Sequence, residues 1–136
     1  MTRHLKTPCR ALCLAGVIAV AGFGCASPQL MLDRTMILNA TDGTVRAVSV
    51  LHEPTLETGS ANAILPGRSF QLGFDREPLR AQYATVRWLD QRGVSNKVSV
   101  AIPEVSACEG VPMELIYTIR MDGRISVEFR PSQGHR

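Results

Sequence analysis

The chain is poor in the residue types that usually carry chemistry. Its 136 residues include only three histidines, one tryptophan and two tyrosines. A zinc site needs three or four His, Cys or carboxylate ligands at short, defined spacing, and the sequence has no such cluster. It also has no Gly-x-Ser-x-Gly motif, no phosphate-binding glycine loop and no His-Glu-x-x-His motif. We therefore predict no catalytic residue, no metal site and no cofactor, and we expect a protein that is not an enzyme.

The isolated candidates for chemistry support the same expectation. His52 is followed by Glu53 but by no further ligand, and we interpret it as a solvent-exposed loop residue. A thiol enzyme would need Cys108 to meet this histidine in space, and nothing around Cys108 matches a nucleophile motif. The methionines are dispersed and form no copper-binding cluster, and we assign Met113 and Met121 to an apolar, core-facing strand.

Charge excludes one large class of partner. The full chain has 15 basic and 12 acidic residues. Arg3, Lys6 and Arg10 precede Cys25, whereas every acidic residue follows it, so the part after Cys25 is formally neutral. The charges are interleaved without a run of one sign, which is typical of a solvated, mixed-sign surface. Binding to nucleic acid, which needs net or clustered positive charge, is therefore not expected.

The first 24 residues have the pattern of a secretory signal peptide. A short basic segment precedes an uncharged run from Ala11 to Cys25 that is rich in Ala, Leu, Val, Ile and Gly. This run is shorter than the roughly 20 apolar residues that a membrane-spanning helix needs. It ends Ala21-Gly22-Phe23-Gly24-Cys25, and these small residues before a cysteine resemble the lipobox of bacterial lipoproteins.

The lipobox resemblance implies where the protein is located and how it is attached to a membrane. In that family the cysteine receives a diacylglyceryl group and the bond before it is cut, which would make Cys25 the lipid attachment site. Ala26, rather than Asp, follows the cysteine, and by the same resemblance this favours the periplasmic side of the outer membrane. An alternative is ordinary cleavage after Ala19-Val20-Ala21, which would release a soluble periplasmic protein.

The two cleavage alternatives predict different states for Cys108. If Cys25 carries a lipid, Cys108 is the remaining cysteine of the mature chain and has a free thiol, buried or available to another molecule. If cleavage follows Ala21, Cys25 keeps its thiol and a bond to Cys108 is open to it.

Beyond Cys25 the sequence is typical of short strands separated by turns. We interpret residues 25–34 as a lipidated tether, 35–130 as one domain and 131–136 as a polar tail. Asp42-Gly43, Asp90-Gln91-Arg92-Gly93 and Asp122-Gly123 each predict a hairpin, because these residues suit tight turns. The broken alternation of residues 45–51 predicts a bulge near Ala47. Residues 52–62 and 104–112 are the predicted long loops.

The apolar pattern predicts an all-β fold. Residues 83–89 form the best central strand, with Ala84, Val86 and Trp88 on one face. We expect a core that contains Val86, Trp88, Val100, Leu115 and Phe129. No segment shows a helical apolar stripe, and about seven or eight short strands predict an antiparallel β-sandwich. This pattern resembles immunoglobulin-like or fibronectin type III-like modules, a resemblance of architecture that does not give function.

Two hypotheses for function follow. The first is a non-enzymatic cell-envelope lipoprotein that acts as an accessory or assembly module and binds another envelope protein through a sheet edge or through the loops 52–62 and 104–112. The alternative is a periplasmic domain that binds a small ligand or a metal.

Overall fold

The computed structural model describes residues 30–74, 76, 78–105 and 111–132. This part of the chain forms eight β-strands and no helix. The strands are β1 (Leu32–Ala40), β2 (Val45–Glu53), β3 (Thr58–Ile64), β4 (Ser69–Leu72), β5 (Tyr83–Leu89), β6 (Ser95–Ala101), β7 (Met113–Arg120) and β8 (Ile125–Pro131). Within these residues, the chain offers no apolar helix of membrane-spanning length.

The strands form two four-stranded sheets, which confirms the predicted all-β sandwich. One sheet has the order β4-β1-β7-β8 and the other has the order β3-β2-β5-β6. All pairs of named strands are antiparallel except β1 with β7, which run parallel. The first strand therefore lies in the middle of its sheet, paired on one side to β4 and on the other to β7.

The strand directions give the sandwich two different ends. The connections at residues 41–44, 65–68, 90–94 and 121–124 are short and lie together at one end, which we call the distal end. The turn at 54–57, the ends of β4 and β6 and the starts of β5 and β7 lie at the other end, together with Leu30. We call this the proximal end. Nine residues of β1 separate the two ends by about 30 Å.

Local turn chemistry predicts two of the three hairpins correctly. β5 and β6 pair across residues 90–94, and β7 and β8 pair across Asp122-Gly123. Gly93 and Gly123 adopt positive φ angles of 79° and 76°, a conformation that glycine tolerates without cost. The hairpin predicted at Asp42-Gly43 is wrong, because β1 and β2 belong to different sheets and this segment carries the chain across the sandwich.

The predicted loop at residues 52–62 is also wrong. β2 continues to Glu53, β3 begins at Thr58, and the two strands pair as a hairpin with a turn at 54–57. The proline, glycine and serine of this segment suggested a loop, but Gly59 and Ala61 are small because they pack closely inside the sandwich. Similarly, β1 begins at Leu32, which precedes the predicted first strand.

The bulge predicted near Ala47 is confirmed. The register between β2 and β5 shifts between Arg46 and Ser49, and Ala47 has a φ angle of 46°. The bulge keeps both Val45 and Val48 buried on the inner face, with exposures of 1%, although the two positions are three apart and strict alternation would put them on opposite faces.

The core lies between the inner faces of the two sheets. Val86, Trp88 and Leu115 are buried as predicted. Val100 and Phe129 are only half-buried, although both pack against the core. The predicted core is therefore correct at its centre, and it overstates burial on the outermost strands β6 and β8.

The two long sides of the sandwich are not equally closed. On the side of β3 and β4, Ala61, Ile64 and Leu72 are 5%, 3% and 1% exposed, whereas Phe70, which pairs with Ile37 and shares its face, is 44% exposed. On the side of β6 and β8, the inward-facing residues are only half-buried, namely Val98, Val100, Ile125, Val127 and Phe129. The sandwich is thus closed along β3 and at Leu72 of β4, and incompletely covered at Phe70 and along β6 and β8.

Gly59 provides a test of the close packing around β3. A Cβ atom at this position would lie 2.7 Å from Cε2 of Phe74 and 2.8 Å from Cβ of Leu72, so one of the packed side chains must shift. We expect Gly59→Ala to lower the free energy of unfolding by about 1–3 kcal/mol in urea denaturation. The matched control is Gly73→Ala, where nothing lies within 4 Å of the added atom. Equal stabilities of the two variants would contradict close packing at Gly59.

Candidate functional site

A cleft of about 320 Å³ opens at the distal end. Its walls come from three connections that belong to both sheets, and Trp88 and Val45 lie at its floor with exposures of 3% and 1%. The rim is mostly polar and includes Asp42, Gln91, Arg92, Asn96, Arg120 and Met121. The cleft is therefore an open depression with a small apolar floor and charges of both signs around it.

Asn39 fixes the wall that the crossing segment forms. This side chain is fully buried, and its Nδ2 donates to the carbonyl oxygens of Gly43 at 2.8 Å and Ile64 at 2.9 Å. Its Oδ1 accepts the backbone N–H of Thr41 at 3.0 Å and lies 2.7 Å from the Thr41 hydroxyl. Its backbone also bonds to residues of the neighbouring connection, Gly67 and Arg68. One buried amide therefore holds two distal connections in place, with all its polar groups satisfied.

Two aspartates shape the other walls. Asp90 Oδ1 accepts the backbone N–H groups of Arg92 at 2.8 Å and Val94 at 2.9 Å. Asp122 Oδ1 accepts the N–H of Arg124 at 3.0 Å. These carboxylates close the turns by the usual local bonds of aspartate, so they serve the backbone of the hairpins.

The charges of the domain are sorted between its two ends. We define the distal region as residues 38–48, 62–71, 87–97 and 118–127, that is, the short connections and the strand ends beside them. It contains seven cationic and three acidic side chains, a net charge of +4. The other described residues contain four cationic and six acidic side chains. The mixed-sign surface expected from the sequence is therefore replaced by a cationic distal end.

The distal cations also have few counter-ions. Among the described residues, Arg124 is the one distal cation in an ion pair, 3.5 Å from Asp122. Exposed distal cations without a carboxylate partner in the described chain are Arg46, Arg68, Arg87, Arg92, Lys97 and Arg120. Positive charge that the fold itself does not neutralise is available to a partner.

The proximal half, by contrast, pairs most of its cations. Arg34 lies 3.1 Å from Glu114, Arg76 lies 3.8 Å from Asp33, and Arg130 pairs with Glu128. Asp33 also accepts a hydrogen bond from the Ser132 hydroxyl, and this bond, with the nearby arginines, lowers the pKa of its carboxyl group. The contrast with the distal end is therefore one of pairing as well as of net charge.

His52, interpreted as an exposed loop residue, is in fact buried. It lies on β2 with 2% exposure, and its Nε2 is 2.8 Å from the hydroxyl of Tyr117 on the opposite sheet. Phe74 stacks on the imidazole with ring centroids 4.3 Å apart and planes 9° from parallel. The histidine is therefore part of the core, where it joins the two sheets through one hydrogen bond.

Burial sets the protonation of this pair. Loss of solvation lowers the pKa of His52 to about 4, and the negative charge of Glu57 only partly opposes this shift. Burial likewise raises the pKa of the Tyr117 hydroxyl. At neutral pH both groups are uncharged, so the pair carries one neutral hydrogen bond in a low-dielectric interior.

The remaining predicted positions are distributed as follows. Cys25 and Cys108 lie outside the described residues, as do the signal segment and most of the loop at 104–112. Within the described residues no three His, Cys, Asp or Glu side chains gather around a point. Met113 is half-buried, but Met121 is 72% exposed, because it belongs to the β7–β8 turn rather than to the apolar face of a strand. Of the residues that the sequence analysis weighed for chemistry, the distal site thus contains Met121 and not His52.

Comparison with known proteins gives little further guidance. No protein-family model matches the sequence, and no curated protein matches it. The chain is similar to the NMR structure of a protein from Eubacterium rectale, with 13% identity, 85% of this chain and 100% of that chain covered, and a TM-score of 0.43.

The buried histidine predicts an acid-sensitive core. Above the unfolded pKa of about 6.5, His52 is neutral in both states. As pH falls from about 6.5 to about 4, His52 becomes protonated in the unfolded chain but stays neutral in the folded chain. The free energy of unfolding should therefore fall through this window, by roughly 2–3 kcal/mol from this group. Urea unfolding at several pH values measures the loss.

The matched control removes both partners. In the double variant His52→Phe with Tyr117→Phe, no polar group remains unpaired, and replacement of both partners is often close to neutral. We expect its unfolding free energy to vary less with pH between 6.5 and 4.5 than that of the natural protein. An equal slope in both proteins would assign the acid sensitivity to other groups.

Proposed function

We propose that this protein is a lipid-anchored lipoprotein of the bacterial cell envelope that binds another envelope protein through its distal end and turns over no substrate. The observation that carries the proposal is the net charge of +4 in the distal region, where six exposed cationic side chains have no carboxylate partner in the described chain, together with the open cleft at that end. In this proposal the domain is an immunoglobulin-like or fibronectin type III-like module, in which loops at one end of a rigid sandwich carry recognition.

The position of the described chain start fits an anchored module. Leu30 lies at the proximal end, five residues after Cys25 in sequence. A lipid on Cys25 would hold that end near the outer membrane and present the distal end about 30 Å farther into the periplasm. The cleft and its cations would then face soluble or membrane-bound partners rather than the bilayer.

A second candidate is a small ligand in the same cleft, as a periplasmic binding domain would hold. The volume of about 320 Å³ is at the lower limit of ligand pockets, which favours a compact polar molecule. A rise in melting temperature with one member of a panel of small periplasmic metabolites, lost in Asn96→Leu, would support this candidate over a protein partner.

In-cell photo-crosslinking tests the protein partner. A photoreactive residue at Met121, which is 72% exposed at the distal end, should trap a discrete partner. The matched control is Leu56, which is 68% exposed in the turn at the proximal end and should trap none. Adducts from Leu56 alone, or from neither position, would contradict binding at the distal end.

The anchor has its own test. We expect Cys25→Ser to move the protein from the outer-membrane fraction to other fractions, because multiple acyl chains that contribute about 0.8 kcal/mol per buried CH₂ give stable attachment. Recovery of the natural protein in the soluble periplasmic fraction would show that cleavage follows Ala21 and that Cys25 carries no lipid. Mass spectrometry of the N-terminal peptide distinguishes the two forms.

A further inference from the structure

One edge of the sandwich is suited to accept another strand. β6 is the last strand of its sheet, and among the described residues no strand pairs with its outer edge. Its register with β5 is unbroken from Tyr83–Ala101 to Leu89–Ser95, and its seven residues contain no proline and no bulge. Natural proteins usually protect an edge of this length by such interruptions, because an open edge pairs readily with another chain.

The hydrogen bonds at both ends of β6 show which backbone groups are free. Asp90 N–H donates to the carbonyl of Val94 at 3.0 Å, and Ile102 N–H donates to the carbonyl of Gln82 at 2.9 Å. Because bonding residues alternate along an antiparallel pair, the even-numbered residues of β6 face β5. The N–H and C=O groups of Ser95, Lys97, Ser99 and Ala101 therefore point away from the sheet.

The other three outermost strands are less suited to pairing. β4 has only four residues, and β8 ends in Pro131 and carries the Glu128–Arg130 ion pair on its outer face. β3 has seven residues, but Ala61 and Ile64 on its inner face are already sealed, so an added strand would bury little apolar surface there. At β6, Val98 and Val100 are half-buried, and a neighbouring strand would cover them.

The two faces of β6 specify the chemistry of that strand. On the inner face an added strand would meet Val98 and Val100, which call for apolar side chains. On the outer face it would meet Lys97, which lies directly across from Arg87. Like charges in direct cross-strand positions destabilise a sheet, and neither cation has a carboxylate partner in the described chain. An acidic side chain beside Lys97 would relieve this repulsion.

From these observations we infer that β6 accepts a strand from the partner protein, and that this strand alternates acidic and apolar residues. The inference rests on the proposed function, since it names the chemistry of the partner, and it adds main-chain pairing at β6 to recognition at the distal end. Main-chain hydrogen bonds to Ser95–Ala101 would supply affinity, and the alternating side chains would supply specificity.

A synthetic peptide of alternating Glu and Val is the probe, added to protein purified from cells that express the full chain. We expect saturable binding in fluorescence anisotropy, with an affinity at least about tenfold higher than that of a peptide of alternating Lys and Val. A Glu and Val peptide of the same composition in two blocks, which lacks the alternation, should bind no better than the Lys and Val peptide. Equal binding of all three would overturn the inference.

Ser99 offers a matched pair of variants for the main-chain bonds. Its N–H faces the free edge, and its side chain bonds to Thr85 at 2.9 Å. Ser99→Ala removes the side-chain bond and keeps the N–H, so binding should change less than about twofold, whereas Ser99→Pro removes both and should weaken binding about tenfold or more. Equal affinities of the two variants would overturn pairing at this edge. If Ser99→Pro does not fold, Ala101→Pro removes a neighbouring edge N–H.

Charge reversal tests the outer face without altering the backbone. Lys97→Glu should lower the affinity for the Glu and Val peptide and raise the affinity for the Lys and Val peptide, each about tenfold. Hydrogen exchange should show protection of the amides of Ser95, Lys97, Ser99 and Ala101 on binding. Protection confined to another strand would overturn the inference. Dimerisation of this protein that Ser99→Pro abolishes would also overturn it, because a second copy would then occupy the edge.

The cell-based experiment separates this inference from the proposed function. If the partner trapped from Met121 is lost in Ser99→Pro and retained in Ser99→Ala, both stand. If both variants retain it, binding at the distal end stands and strand addition at β6 is wrong. If no partner is trapped from Met121 in the natural protein, the proposed function itself is wrong.

Discussion

The buried amide of Asn39 is the constraint on which the distal end depends. The chain leaves one sheet at Ala40 and joins the other at Val45, and such a crossing leaves backbone groups without ladder partners. The Asn39 side chain forms hydrogen bonds with backbone groups of Thr41, Gly43 and Ile64. Its backbone N–H donates to the carbonyl oxygen of Arg68. The cleft wall at residues 41–44 and the position of the connection at 65–68 depend on Asn39, because a buried polar group that is left unpaired destabilises the fold.

The sequence predicted what depends on neighbours along the chain. Most of the strands, the bulge near Ala47 and two hairpins follow from alternation and turn residues, which act locally, whereas β3 was predicted as a loop. Asp42-Gly43 carries the same local signal as Asp122-Gly123, yet it does not form a hairpin, because Asn39 and the second sheet decide its path. His52 was misassigned for a related reason, since its hydrogen-bond partner, Tyr117, lies far away in sequence and on the other sheet.

The separation of charge could not be read from the order of residues. In a chain that runs up and down, successive connections lie alternately at the two ends of the sandwich. Asp33, Glu53, Glu57 and Glu104 fall near the proximal end, while Arg46, Arg92 and Arg120 fall near the distal turns. Charges that alternate along the sequence are thus sorted in space, and a formally neutral domain acquires a strong electrostatic asymmetry. A net-charge argument excludes partners only when the fold leaves the charges mixed.

The parallel pairing of β1 with β7 has a mechanical consequence. β1 starts at the proximal end and is hydrogen-bonded along both sides, to β4 and to β7. Tension applied through the N-terminal end, as a membrane tether would apply it against a load on the distal turns, acts along the axis of β1. The ladders on both sides are then loaded in shear, so that many bonds must break together instead of one after another. A domain held in this way resists being pulled open, and it would transmit force between its two ends.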